Sequence, residues 1–239
     1  RNFGTNEPMT ELLLELRDLR TQFFTSEGVV SAVDGVSLRI RSGETLAVVG
    51  ESGCGKSVMA RSILRLIPNP PGKIVDGEVL YRGTDLLKLN TEQMCDIRGK
   101  EISMIFQEPM TSLNPVLTVG DQVAEAVLEH EKVGRKDIQA RVVELFRLVN
   151  IPAAASRLKE EFGMGVLLIT HDLGVVAETA QQVVVMYAGR KVEEAPVELL
   201  FDAPLHPYTR GLLDCVPRLD SFEQEVPSRL HTVEGLVPS

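Results

Sequence analysis

Hydrophobic and polar positions follow a strand-like pattern from Leu12 to Ile40 of this chain. Polar turns at Thr25–Gly28 and Arg41–Gly43 separate short apolar runs, as hairpins require. The runs are Leu13–Leu16, Phe23–Phe24, Val29–Val33 and Val36–Ile40. This part of the chain therefore predicts an antiparallel β layer.

Strand patterns alternate with helical patterns in the remainder. Thr45–Val49 is a short apolar run, and the spacing of four between Met59, Ile63 and Ile67 predicts a helix over Ser57–Ile67. The other predicted strands are Gly77–Tyr81, Glu101–Phe106, Val166–Ile169 and Val183–Tyr187, and the other predicted helices are Thr118–Glu129, Ile138–Val149 and Leu173–Thr179. Alternation of this kind predicts an α/β core with a largely parallel sheet, next to the antiparallel layer.

Composition and charge narrow the possible functions. A hydrophobic content of 44% over 239 residues allows a proper core. The net charge of −9, without a dense Lys/Arg tract, argues against a nucleic-acid partner. Three widely spaced cysteines predict neither a disulfide framework nor a zinc site. The chain offers no apolar run of the roughly 20 residues that a membrane helix needs, and residues 1–8 are predicted to be a flexible polar lead.

A glycine-rich segment between a predicted strand and a predicted helix carries the clearest chemical signal, Gly50-Glu51-Ser52-Gly53-Cys54-Gly55-Lys56-Ser57. It matches the P-loop pattern G-x-x-x-x-G-K-[ST] in the context that the motif requires. Backbone N–H groups and the helix N-terminus converge on phosphate in such loops. Lys56 is predicted to bridge the β- and γ-phosphates and Ser57 to ligate Mg²⁺. The predicted nucleotide contacts are Gly50, Ser52, Gly53, Cys54, Gly55, Lys56, Ser57 and Val58.

A P-loop alone does not choose between GTPases, kinases, helicases and other ATPases. The chain contains no N-K-x-D segment of the kind that reads guanine, which weakens the GTPase interpretation. Cys54 occupies a variable position of the loop, and a structural role is favoured for it over a catalytic thiol.

Three further residues, in order along the chain, give it a resemblance to the ABC ATPase family. Phe23 matches the aromatic position whose ring stacks on adenine, with Phe24 as its competitor. Gln107 resembles the glutamine that contacts Mg²⁺ and the attacking water, and His171 resembles the histidine that reaches the γ-phosphate. The resemblance implies ATP and Mg²⁺ as cofactors. It also implies a P-loop α/β fold with a mixed central sheet, an antiparallel β subdomain and a helical subdomain that is partly missing here.

Two longer stretches resemble the ATPases of oligopeptide, dipeptide and nickel importers, namely residues 107–115 and 204–212. The resemblance implies an ATP-binding domain over residues 9–203 and the start of a carboxy-terminal extension over residues 204–239. It implies a second ABC ATPase subunit, transmembrane permease subunits and, indirectly, a solute-binding protein as partners, at the cytoplasmic face of the membrane. His206 invites interpretation as a metal ligand, but Pro207 and Tyr208 beside it favour a packed helix start.

Two motifs of the family are missing between Gln107 and His171. The chain shows neither an L-S-G-G-Q-like signature nor an apolar strand that ends in Asp-Glu, and the discontinuity falls near Arg157–Lys159. Either the given sequence omits several dozen residues of an ordinary transport ATPase, or the deletion is real and the chain is a catalytically impaired regulatory or scaffold protein. The first explanation is favoured, because a central sheet without that strand would expose apolar edges.

Overall fold

The structure is a computed structural model, and it describes residues 11–106, 114, 116–131, 134, 137–149 and 163–214. The strands are β1 (Leu12–Thr25), β2 (Gly28–Arg41), β3 (Thr45–Val49), β4 (Gly72–Tyr81), β5 (Thr84–Asp85), β6 (Val166–Ile169), β7 (Gln182–Tyr187) and β8 (Arg190–Pro196). The helices are α1 (Lys56–Ile63), α2 (Thr91–Ile97), α3 (Val119–His130), α4 (Ile138–Val149), α5 (Leu173–Thr179), α6 (Val197–Asp202) and α7 (Pro207–Asp214).

The chain divides into two compact units, one from Arg1–Leu87 with Gly163–Ser239 and the other from Lys88–Phe162. The first unit contains both sheets. Its antiparallel sheet has the strand order β2-β1-β4-β5, and its second sheet has the order β6-β3-β7-β8. Strands β6, β3 and β7 are parallel, and β8 joins the edge of β7 in the antiparallel direction. The predicted α/β fold with an added antiparallel layer is therefore confirmed.

The core of the first unit lies on both faces of the parallel strands. All five residues of β3 are buried, as expected for a central strand covered on both sides. On one face, alternate β3 and β7 residues pack against the helices that follow β6 and β8; this cluster contains Ala47, Val49, Leu173, Val176, Ala180, Val183, Val185 and Leu200. Helix α1 contacts β1 and β2 of the antiparallel sheet and buries Met59 and Ile63.

A shared carboxylate links the two sheets. Asp34 on β2 accepts hydrogen bonds from Arg20 on β1 and from Arg190 on β8, the latter through Nε at 2.8 Å. The backbone N–H of Asp34 also donates to the carbonyl of Gly189, at 2.9 Å. These bonds hold the β7–β8 turn against β2, next to the loop that follows β3.

The second unit is mainly helical in its described part. Asn90 caps α2 in a capping box with Gln93, and Thr118 caps α3 by accepting the backbone N–H of Asp121 at 3.1 Å. Arg141 on α4 forms ion pairs with Glu131 and Glu144, and these raise the pKa of its guanidinium. The helix predicted over Thr118–Glu129 is confirmed, with Thr118 as its N-cap.

Two predictions about elements were wrong. Helix α1 ends at Ile63 and not at Ile67, since Arg65 takes a left-handed φ of 52°. The segment Glu101–Phe106 does not form a strand: within it the only β pairing described is an isolated bridge from Ile102 to Arg98, and Ile105 is 91% exposed. Its apolar pattern finds no partner strand among the described residues.

Candidate functional site

The loop between β3 and α1 makes two backbone contacts that only glycine permits. A Cβ on Gly50 would lie 2.2 Å from the carbonyl oxygen of Met186, and one on Gly55 would lie 2.1 Å from that of Ala32. Both glycines have a positive φ, 142° and 101°. These two contacts hold the loop between the end of β7 and strand β2. Ser52 and Gly53, which lie between the two contact points, are exposed.

Lys56 and the start of α1 supply the positive charge of the site. The Nζ of Lys56 donates to the carbonyls of Gly50 and Glu51, both at 2.7 Å. Gly55 precedes the eight-residue helix and provides no side-chain cap, so the first N–H groups of α1 have no capping side chain. Ser57 is exposed in the first turn of this helix. A half-buried ammonium, a hydroxyl and uncapped N–H groups together suit a phosphate with a divalent cation.

Cys54 lies under the loop and not at its surface. Its side chain is 1% exposed, and its sulfur is 3.4 Å from Lys56 Nζ. Its backbone carbonyl accepts the N–H of Gly189 at 3.0 Å. Burial of the thiol and these loop contacts support the structural role that was favoured from the sequence.

His171 lies at the same edge of the sheet as the loop. Val48 on β3 pairs with Ile169 on β6 in parallel register, so Gly50 and His171 each follow that pair by two residues. Because carboxyl ends of parallel strands meet at one edge, His171 lies on the P-loop side of the sheet. Its ring is exposed, and Asp172 after it caps α5 by accepting the N–H groups of Gly174 and Val175.

Phe23 and Phe24 occupy opposite faces of β1, as neighbours in a strand do. Thr21, on the face of Phe23, hydrogen-bonds Ser62 of α1 at 2.8 Å. The ring of Phe23 covers Gly72, where a Cβ would come within 2.9 Å of it. Phe24 is 49% exposed. Phe23 therefore lies on the side of the sheet that carries α1, and its contact with adenine stays a prediction.

Two other predictions concern Gln107 and the metal. Gln107 lies outside the described residues, so its place relative to Ser57 stays a prediction. Within the described ranges, no group of three or more His, Cys, Asp or Glu residues could hold a metal ion. A divalent cation at this site would rest on the Ser57 hydroxyl together with phosphate oxygens, which matches the hard oxygen ligands that Mg²⁺ prefers.

One contact to the loop was missed from the sequence. The hydroxyl of Tyr208, on α7, accepts the backbone N–H of Glu51 at 2.9 Å. The only signal was the stretch 204–212, singled out for its resemblance alone. In the same stretch the Nδ1 of His206 accepts the N–H of Tyr208 at 3.1 Å, which confirms a packed helix start at Pro207.

Fold and site together define a P-loop nucleotide-binding domain of the α/β class. Residues 33–166 match the family model described as ABC transporter, and residues 192–239 match the one described as oligopeptide/dipeptide transporter, C-terminal region. The chain is 43% identical to a probable peptide ABC transporter ATP-binding protein of Sinorhizobium fredii, over 98% of this chain and 84% of that protein. It is 41% identical to the dipeptide transport ATP-binding protein DppD of Bacillus subtilis, over 88% and 78%. The chain belongs to the peptide-transport ATP-binding proteins of the ABC transporter family.

Solved structures agree on the fold. The dimeric structure of MJ0796, a bacterial ABC transporter cassette, superposes with a TM-score of 0.65 at 20% identity, over 77% of this chain and 99% of that one. A structure of the same cassette bound to ADP and Pi, described as a post-hydrolysis state, gives a TM-score of 0.66. No helix in the described part of the chain is both long and apolar enough to cross a membrane.

The alignments with these relatives are longer than this chain. The alignment with the Sinorhizobium protein runs over 286 positions, to which this chain contributes about 234 residues, so about 50 positions have no counterpart here. The alignment with DppD runs over 262 positions and also leaves about 50. Each of these two relatives therefore has about 50 aligned residues that this chain lacks.

Proposed function

We propose that this chain is the ATP-binding subunit of a peptide importer, in which ATP binding and hydrolysis drive uptake through membrane-spanning partner subunits. The observation that carries the proposal is the loop Gly50–Ser57, held by backbone contacts between β7 and β2 with Lys56 inside it. The names of the peptide-transport relatives support the choice of solute class.

The loop residues would bind the nucleotide through its phosphates. When ATP binds, the Nζ of Lys56 would leave the carbonyls of Gly50 and Glu51 and donate to the β- and γ-phosphate oxygens instead. Phe23 would stack on adenine, and His171 would hydrogen-bond the γ-phosphate from the end of β6. Ser57 and Gln107 would complete the ligands of Mg²⁺, which when bound would neutralise charge that develops on the phosphates.

The test is a titration of the 239-residue chain with a fluorescent ATP analogue, with Mg²⁺ and with EDTA. We expect Lys56→Ala to remove binding, because an ammonium that faces two or three phosphate oxygens has no substitute in the loop. Ser57→Ala should bind with little response to Mg²⁺. Lys73→Ala, at an exposed lysine of β4, is the control and should bind normally. Equal affinity of Lys56→Ala and wild type would refute the site.

We further propose that the missing block supplies a strand beside β6. Strand β6 stands at the edge of its sheet in the described part of the chain, and all four of its apolar residues are only partly buried. An apolar parallel edge strand is unusual, since parallel strands are normally covered. The roughly 50 aligned positions without a counterpart in this chain support the same idea. The block would enter near Arg157–Lys159.

The remaining assignments follow from this proposal. Residues 9–203 would form the ATP-binding domain and residues 204–239 the start of the carboxy-terminal extension, whereas residues 1–8 lie outside the described part of the chain. The working unit would be a pair with a second ABC ATPase subunit. That pair would bind permease subunits at the cytoplasmic face of the membrane and serve a solute-binding protein indirectly.

A further inference from the structure

We propose that Tyr208 is a positioning residue for the P-loop, through which the carboxy-terminal region sets the affinity for nucleotide. The inference rests on the proposed ATP site and adds to it a residue 157 positions away in sequence from its partner, Glu51. Tyr208 does not belong to the loop, and it would not touch the nucleotide. It would act on one peptide unit of the loop.

That unit is the peptide between Gly50 and Glu51, and it is held from both sides. Its carbonyl accepts a hydrogen bond from Lys56 Nζ at 2.7 Å, and its N–H donates to the hydroxyl of Tyr208 at 2.9 Å. The two groups of a trans peptide point in opposite directions, so the two bonds oppose rotation of the whole unit. Gly50 itself offers little resistance to rotation, because it lacks a Cβ.

Hydrogen bonds and ring packing hold Tyr208 in place. Its backbone N–H donates to His206 Nδ1, and its ring packs on Tyr187 with centroids 4.6 Å apart. Glu193 on β8 accepts the N–H groups of Leu205, at 2.8 Å, and His206, at 3.0 Å, which fixes the start of α7 on the sheet. Burial raises the pKa of Tyr208 to about 12, so the phenol remains a neutral hydroxyl near pH 7.

The arrangement matters most when nucleotide is bound. Once Lys56 moves to the phosphates, the carbonyl of Gly50 loses its partner, and the bond to Tyr208 becomes the remaining side-chain restraint on this peptide. Without that hydroxyl, no side-chain hydrogen bond opposes rotation of the peptide unit, and the loop loses part of its preorganised shape. ATP binding must then also order the loop, which costs free energy and makes the affinity for ATP weaker.

The decisive variant is Tyr208→Phe, which keeps the ring packing and deletes only the hydroxyl. We expect ATP affinity about fivefold weaker, as for the loss of one hydrogen bond. Tyr187→Phe is the matched control: it retains the same ring pair, and among the described residues its hydroxyl makes no hydrogen bond. It should change affinity by less than about twofold. If the wild type binds ATP and Tyr208→Phe binds equally well, the inference fails while the proposed function stands.

A second measurement tests the hydrogen bond in the wild type itself. In the nucleotide-free wild type, the backbone amide of Glu51 should exchange with solvent more slowly than that of the exposed Ser52, and Tyr208→Phe should remove the difference. An unprotected Glu51 amide in the wild type would overturn the inference. Absence of ATP binding by the wild type would instead overturn the proposed function, and the inference with it.

Discussion

A P-loop glycine can be required for its positive φ or because there is no space for a Cβ. Single alanine substitutions at Gly53 and Gly55 distinguish these two reasons. Gly53 and Gly55 have similar left-handed φ angles, 85° and 101°. A Cβ on Gly53 meets no heavy atom within 4 Å, whereas one on Gly55 would lie 2.1 Å from the carbonyl oxygen of Ala32. Gly53→Ala therefore costs only the backbone strain, roughly 1–2 kcal/mol. Gly55→Ala adds the displacement of strand β2, roughly 1–3 kcal/mol more.

Thermal unfolding followed by circular dichroism measures the difference directly. Alanine restricts the unfolded chain equally at both positions, so that contribution cancels between the two variants. A gap of about 2 kcal/mol corresponds to about 4–8 °C in Tm for a chain of this size. We expect Gly55→Ala to melt lower than Gly53→Ala by about that amount. Equal melting temperatures would show that the close contact between the loop and β2 does not exist in solution.

Two other predictions concern acid stability and hydrolysis. Burial raises the pKa of Glu193, but the backbone N–H groups of Leu205 and His206 donate to its carboxylate and hold the pKa below the usual 4.5. Its carboxylate stabilises the fold above that pH and ceases to do so as the pH falls through the lowered pKa. Glu193→Gln should therefore weaken the fall of the urea-unfolding midpoint at acid pH, and an unchanged pH dependence would contradict this. Insertion of the corresponding block of DppD near Arg157–Lys159 should raise Tm and produce ATP hydrolysis, whereas a Gly/Ser insert of equal length should do neither; hydrolysis by the uninserted chain would contradict this.

The sequence pattern predicted those helices and strands whose bounds depend on residues that are close together in the chain. Strand β6 and helix α5 were predicted with their observed bounds, because an apolar run, a polar junction at Thr170–Asp172 and a capping aspartate coincide there. The P-loop was predicted for a similar reason: its chemistry lies in eight consecutive residues. The end of α1 was not predicted. Arg65 takes the left-handed position of a Schellman motif that usually holds glycine, with Leu66 N–H donating to the Arg61 carbonyl at 2.8 Å.

Tertiary contacts account for the rest of what the sequence did not reveal. The segment Glu101–Phe106 has the pattern of a strand, but in the described part of the chain its β pairing is limited to the isolated bridge from Ile102 to Arg98. The bond from Glu51 to Tyr208 joins residues that no periodicity connects. Such contacts depend on the packing of α7 against β7, which a single sequence does not display.

Nucleotide binding and hydrolysis depend on different parts of this protein. Each group that we propose for phosphate binding is carried by β3, α1 or the end of β6, and all three lie in one compact unit with a buried core. Hydrolysis also requires a residue that orients the attacking water next to the γ-phosphate, and the sheet edge at β6, where no further described strand pairs, has room for a strand that would carry it. Binding should therefore survive without the missing block, while hydrolysis should depend on it. A chain that binds ATP and gains turnover only on insertion is the outcome that this division predicts.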